Sequence, residues 1–82
     1  MARRHPTNRR FSQPVVLSNG TRLETPADAR NFLARLSSDQ ISAPIYYAHV
    51  KLTAALESGK ASDIEVARLE LVRAFRSVGW LS

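Results

Sequence analysis

Few residues in this 82-residue chain could carry out acid–base, nucleophilic or metal chemistry, and they are widely spaced. The chain has two histidines, His5 near its start and His49 in a helical pattern, and no cysteine. A helical metal motif needs a second ligand four residues from the first, and after His49 that position is Thr53. The sequence therefore predicts no metal site and no cofactor.

His49 could still line a pocket with Tyr46 and Thr53, which share its predicted helix. Catalysis by such a histidine needs an orienting acid and a nucleophile, and no Ser-His-Asp set can be assembled from the spacing. The serines fall at predicted helix caps and turns, where hydroxyls pair with the backbone. A histidine at the edge of an apolar stripe is more often a packing residue, so we expect the chain not to be an enzyme.

Positive charge is concentrated at the N-terminus. The formal net charge is +5, and four arginines lie within the first ten residues: Arg3, Arg4, Arg9 and Arg10. From Phe11 onward, eight basic residues face seven acidic ones, so the remainder is nearly neutral. Residues 1–10 have no apolar pattern and are predicted to form a disordered basic tail. Two interpretations stay open, a solvated terminus or an arm whose arginines contact nucleic-acid phosphates.

Apolar residues outside the core-facing stripes of the last two predicted helices suggest an interaction surface. A chain of this size has little material left to cover a second apolar stripe on each helix. Exposed patches of this kind usually mark an interface with a partner or with a second copy of the chain. The alternative is a monomer in which the N-terminal hairpin covers them. The candidate interface residues are Tyr46, Tyr47, Val50, Val66, Leu69 and Val72.

The first structural element that must position these residues is a β-hairpin. Asn19-Gly20 lies between two β-favouring runs and predicts a two-residue type I′ turn. This turn places Val16 opposite Leu23, on the face predicted to join the core. The predicted strands are residues 14–18 and 21–24.

Three helices are predicted after the hairpin. Thr25 should cap the first and Ser42 the second, with Ile41 turned inward before it. Ser62 and Glu65 have the spacing of a capping box for the third helix, which should stop at Gly79. The predicted helices are residues 26–37, 43–58 and 63–78. Two strands followed by helices predict an α+β fold in one domain, residues 11–82.

The predicted compartment is the bacterial cytoplasm. A small chain without cysteine suits a reducing environment, and the N-terminal arginines are not followed by the apolar segment of a secretory signal. No apolar run approaches the roughly 18 residues of a membrane span.

The spacing of core residues and helix stops resembles a family of small bacterial proteins known as domain of unknown function 982. The resemblance covers about residues 11–81 and implies a single small helical α+β domain. It implies no activity, and no site residues are carried over. Trp80 and the arginine-rich start depart from the family pattern. The matching residues are Phe11, Pro14-Val15-Val16-Leu17, Ala29, Phe32-Leu33, Tyr47-Ala48, Ala55-Leu56, Gly59, Ala67-Arg68, Ala74 and Gly79.

The sequence thus favours a small non-catalytic protein-interaction module, for which a homodimer is one form. The alternative is a nucleic-acid-associated protein that uses the arginine tail, helped by arginines of the last helix. Leu69 and Val72 interrupt those arginines, so the helix lacks a continuous basic stripe. The tail also lacks the aromatic residues with which single-strand binders stack bases.

Overall fold

The computed structural model describes residues 10–81, so residues 1–9 and Ser82 lie outside the described part. Within it, two short antiparallel strands precede three α-helices, which confirms the predicted α+β fold. None of these helices is long and apolar enough to cross a membrane. The elements are β1 (Val15–Val16), β2 (Arg22–Leu23), α1 (Pro26–Ala34), a 3-10 turn (Ser38–Gln40), α2 (Ala43–Ser58) and α3 (Ala61–Ser77).

The hairpin register differs by one residue from the prediction. Val15 lies opposite Leu23, whereas Val16 was expected there. The loop holds three residues, because the Leu17 N–H donates to the Thr21 carbonyl at 2.8 Å. Gly20 has a left-handed φ of 91°, but no non-glycine residue of the described part has a positive φ. Asn19 therefore cannot form the predicted type I′ turn, which needs two such residues in succession.

The one-residue shift also exchanges the faces of the first strand. Val15, Leu17 and Leu23 are buried, whereas Val16 is half-buried and Arg22 is exposed. The prediction that Val16 provides the core face is therefore wrong. The observed register buries three apolar side chains where the predicted one would bury two, which favours it energetically.

Helix α1 begins as predicted but ends three residues early. The Thr25 hydroxyl accepts the Asp28 N–H at 3.1 Å, and the Asp28 carboxylate accepts the Thr25 N–H at 3.2 Å. The helix ends before residue 37 because the backbone of Ser37, which precedes the 3-10 turn, is extended and not helical. Its N–H donates to the side-chain oxygen of Gln40 at 2.9 Å, a bond that a continuing helix would not allow.

Helix α2 has the predicted bounds, whereas α3 begins two residues early and ends one residue early, with Val78 as its C-cap. Lys60 is the N-cap residue of α3, so Ser62 lies inside the first turn and the predicted capping box with Glu65 does not form. At the other end, Gly79 adopts a φ of 76°. The Trp80 N–H then donates to the Phe75 carbonyl at 2.8 Å, which completes a Schellman motif.

The core lies between α2 and α3, with the hairpin and α1 packed against them. The chain end also returns to the hairpin, since Ser18 N–H donates to the Trp80 carbonyl at 2.7 Å and Leu81 forms a bridge with Leu17. The buried apolar residues are Phe11, Val15, Leu17, Leu23, Ala29, Leu33, Ile45, Ala48, Leu52, Ala55, Ile64, Ala67, Leu71, Ala74 and Phe75.

Candidate interaction surface

The large hydrophobic side chains that are exposed within residues 10–81 are confined to α2, α3 and the residues just before α2. Five of the six were predicted from the sequence. The sixth, Ile41, is 42% exposed, so the prediction that it turns inward is wrong. Ile41 directly follows the 3-10 turn and directly precedes Ser42, the N-cap of α2. At this position its side chain stays outside the core. The six residues are Ile41, Tyr46, Tyr47, Val50, Val66 and Leu69.

Val72 is the predicted interface residue that the structure places elsewhere. It is half-buried and packs against the core cluster. It follows the buried Leu71, and at 100° per residue it lies at the edge of the stripe that α3 presents to the core. Val72 is therefore a packing residue of the domain and is removed from the candidate surface.

A groove runs between α1 and α2 and opens beside Tyr46. Its volume is about 260 Å³ and its wall is mostly apolar. Tyr46, 62% exposed, stands at its edge together with Ile41. The groove is of a size to receive one or two apolar side chains. Its lining residues are Leu33, Ala34, Leu36, Ile41, Ile45, Tyr46 and His49.

His49 and Tyr46 thus line a pocket, as the sequence suggested, but Thr53 does not. The Thr53 hydroxyl donates to the His49 carbonyl at 3.1 Å within the same helix. Across residues 10–81, no side-chain hydrogen bond joins His49 to an acid, and no group of three potential metal ligands occurs. His49 is therefore a polar residue in the lining of a mostly apolar groove.

Val50 connects the two flanks of α2. It lies four residues after Tyr46 and three after Tyr47, so it neighbours both on the helix surface. Tyr47 lies about 100° around the helix from Tyr46, and the Lys51 ammonium stands 5.3 Å from its ring centroid. The exposed apolar face of α2 is thus continuous from the groove to Tyr47.

Two further exposed apolar residues lie on α3. Val66 and Leu69 are three residues apart and therefore neighbours on one face of the helix. Both side chains are exposed. We call the exposed apolar faces of the two helices the α2–α3 surface: Tyr46, Tyr47, Val50, Val66 and Leu69.

The predicted phosphate contacts are mostly outside the described residues. Arg3, Arg4 and Arg9 lie there. Arg10 is described, and its guanidinium donates to the Glu24 carboxylate at 2.7 Å. This hydrogen bond, with a second from Arg22, holds the pKa of Glu24 below its ordinary value of 4.5. Arg10 is therefore engaged with the hairpin.

Arg68 is likewise engaged by an acid. It donates two hydrogen bonds to Glu65, which also accepts the Ser12 hydroxyl at 2.8 Å. The Arg68 hydrogen bonds, then that of Ser12, lower the pKa of Glu65, and the Glu65 hydrogen bonds raise the pKa of Arg68. Only 15% of the Arg68 side chain is exposed. This cluster attaches the start of the domain to α3 and removes Arg68 from any basic surface.

Comparison of the chain with known protein families, curated proteins and solved structures gives no match to any of the three. The resemblance to domain of unknown function 982 accordingly stays a hypothesis.

Proposed function

We propose that this chain is a small non-catalytic protein-interaction module whose α2–α3 surface binds a protein partner. One observation carries the proposal. The exposed large hydrophobic residues of the described part all lie on α2, on α3 or at Ile41 just before α2, whereas such residues are usually scattered singly over a monomer.

The chemistry of the surface suits a protein partner. Tyrosines are favoured at interfaces because they bury a large rigid ring and keep a hydroxyl available for hydrogen bonding. Tyr46 stands beside the groove between α1 and α2, so an inserted partner side chain would contact both its ring and the groove wall. Aromatic anchors next to a pocket are typical of the residues that dominate binding energy.

A second copy of the chain is the partner we favour. Most soluble oligomers are symmetric homo-oligomers, and a two-fold dimer uses the same patch on both copies. Two α2 helices related by a two-fold axis would bring each Tyr46 towards the groove of the other copy. A stable interface of standard size buries about 800 Å² on each partner, so a dimer through this surface would involve residues around these five as well.

Light scattering coupled to size exclusion, over a wide range of protein concentrations, tests the homodimer. We expect the mass to rise from the 9.1 kDa of one chain towards twice that value. Amide exchange at the two concentration extremes should then show added protection in α2 and in the exposed turns of α3. A mass that stays at one chain throughout would exclude the homodimer.

The alternative proposal is association with nucleic acid through the N-terminal arginines. It is supported by the concentration of charge in the first ten residues. It ranks second because Arg10 and Arg68 are already paired with acids. Binding to a DNA duplex should then weaken steeply with added salt and disappear when residues 1–9 are removed. Binding that is independent of salt, or that survives the truncation, would contradict it.

A further inference from the structure

A second groove lies between the hairpin loop, the end of α1, the 3-10 turn and the C-terminal Trp80. Its volume is about 660 Å³, within the range of about 300–1,000 Å³ typical of small-molecule sites. It shares only Leu36 with the groove beside Tyr46. Its lining residues are Leu17, Ser18, Asn19, Thr21, Phe32, Arg35, Leu36, Gln40 and Trp80.

Arg35 supplies the only charge among these lining residues. It is the exposed C-cap residue of α1. Within residues 10–81, the ion pairs are formed by Arg10, Arg22 and Arg68, so Arg35 has no acidic partner there. Its planar guanidinium can therefore offer two parallel hydrogen bonds to an incoming carboxylate or phosphate.

Two side-chain amides add hydrogen-bond donors to the same wall. The Asn19 side-chain oxygen accepts the Thr21 N–H at 3.0 Å. The Gln40 side-chain oxygen accepts the Ser37 N–H at 2.9 Å. Both oxygens are thus occupied, and within residues 10–81 no hydrogen bond from either amide nitrogen is found, so each can offer two N–H groups. The polar part of the wall is thus rich in donors, which suits an anion.

The apolar part of the wall is aromatic and fixed in place. Trp80 is held by its backbone hydrogen bond to Phe75 and by stacking of the two rings. Phe32 contacts the indole edge to face, with ring centroids 6.3 Å apart. Trp80 remains partly exposed and lines the groove with Phe32. A flat apolar ring could therefore pack against a preformed surface next to Arg35.

We propose that this groove binds a small organic anion in which one carboxylate or phosphate group is attached to a flat, apolar ring. The anionic group pairs with Arg35 and the amide nitrogens of Asn19 and Gln40, while the ring packs on Trp80 and Phe32. This site is separate from the α2–α3 surface and does not depend on the proposed interaction function.

Titration of the full chain with phenylacetate, followed by amide NMR, tests the proposal. Trp80 is the only tryptophan, so one indole N–H signal reports on the groove directly. We expect a saturable shift of this signal and about tenfold weaker binding of the neutral isostere phenylacetamide, because the charged hydrogen bonds are lost. Acetate, which lacks the ring, should bind weakly too. Phenyl phosphate in a parallel titration shows which anionic group the groove prefers.

Substitution of Arg35, the C-cap of α1, and of Arg30 within α1 separates a specific site from a general charge effect. Arg35→Gln should abolish the preference for phenylacetate over phenylacetamide, whereas Arg30→Gln, an equal charge change at an exposed position outside the groove, should keep it. The proposal is overturned by equal binding of the two probes to the natural chain, by equal losses in both variants, or by no saturable shift. The comparison of phenylacetate with phenylacetamide on the natural chain tests the proposal even if the Arg35→Gln variant unfolds.

Discussion

The indole ring of Trp80 stacks on the phenyl ring of Phe75, with centroids 5.9 Å apart and planes inclined by 29°. The same two residues are joined by the backbone bond that closes the α3 Schellman motif. Phe32 of α1 meets Phe75 edge to face at 5.8 Å. This aromatic cluster links α1, α3 and the chain end, so the turn after α3 is part of the tertiary core.

Trp80→Ala should lower the free energy of unfolding by about 2–4 kcal/mol, because it removes a large aromatic side chain that is packed on two others. Chemical denaturation followed by circular dichroism measures the change. The control is Tyr47→Ala, which removes an exposed ring and its contact with Lys51 and should cost less than about 1 kcal/mol. Equal costs would mean that Trp80 is peripheral to the core.

Gly79→Ala should destabilise the chain by about 1 kcal/mol, because an alanine resists the left-handed conformation found there. A Cβ atom at this position would meet no other heavy atom within 4 Å, so the cost is conformational and not steric crowding. Gly79→Asn is the matched control and should cost less, since asparagine tolerates this conformation better. Thermal unfolding of both variants checks the order, and the reverse order would contradict the Schellman motif.

The existence and order of the three helices could be predicted from the sequence because helix signals are local, but only α2 has the bounds that those signals predicted. Pro44, the apolar spacing and Gly59 placed α2 with its observed bounds. The hairpin could not be placed in register, because Asn19-Gly20 is compatible with loops of two or three residues. Burial of Val15 against the helices favours the three-residue loop, and this tertiary contact cannot be read from the local sequence.

Val15→Ala and Val16→Ala distinguish the two registers. Val15 is 2% exposed, so its truncation should cost about 2 kcal/mol of unfolding free energy from two lost methyl groups. Val16 is half-buried and should cost less than about 1 kcal/mol. Urea unfolding of the two variants provides the comparison. A larger cost at Val16 would restore the register predicted from the sequence.

The candidate surface was predicted in large part because exposed apolar residues on a helix can be recognised from their angular position. Val72 was wrongly included because a residue at the edge of a stripe can be covered by a neighbouring element. The role of Glu65 was missed for a different reason. Its partner Ser12 is 53 residues away in the chain, so no local spacing could reveal the hydrogen bond that they share.

Acid should weaken the attachment of the N-terminal segment to α3 through Glu65. Its pKa is lowered in the folded chain, so its contribution to stability is complete above the ordinary value of 4.5. That contribution is lost as the pH falls below 4.5 through the lowered pKa of the folded state. Glu65→Gln should therefore show a shallower fall in melting temperature between about pH 6 and pH 2.5 than the natural chain does.

The control for this pH dependence is Glu57→Gln, whose carboxylate makes no ion pair within residues 10–81. It should leave the acid-induced fall in melting temperature as steep as in the natural chain. If Glu65→Gln also leaves the slope unchanged, the Arg68 and Ser12 hydrogen bonds do not stabilise the folded state.

Introducing charge at Tyr46 and Leu69 together tests whether the α2–α3 surface binds a partner. The two side chains are 62% and 52% exposed, so Tyr46→Glu with Leu69→Glu should leave the fold intact and shift its stability by about 1 kcal/mol or less. Association should be lost, because each substitution would place an unpaired carboxylate in a desolvated interface. Light scattering and circular dichroism on the same samples report association and folding separately.

The matched control is Gln13→Glu with Asn31→Glu, which makes the same charge change at two exposed positions outside the surface. It should associate like the natural chain, since simple repulsion between copies is weak at physiological salt. Loss of association in both variants would assign the effect to net charge. Unfolding of the Tyr46 and Leu69 variant would place these residues in the core. A folded variant with undiminished association would exclude this surface as the dimer interface, because two buried carboxylates could not be accommodated without cost.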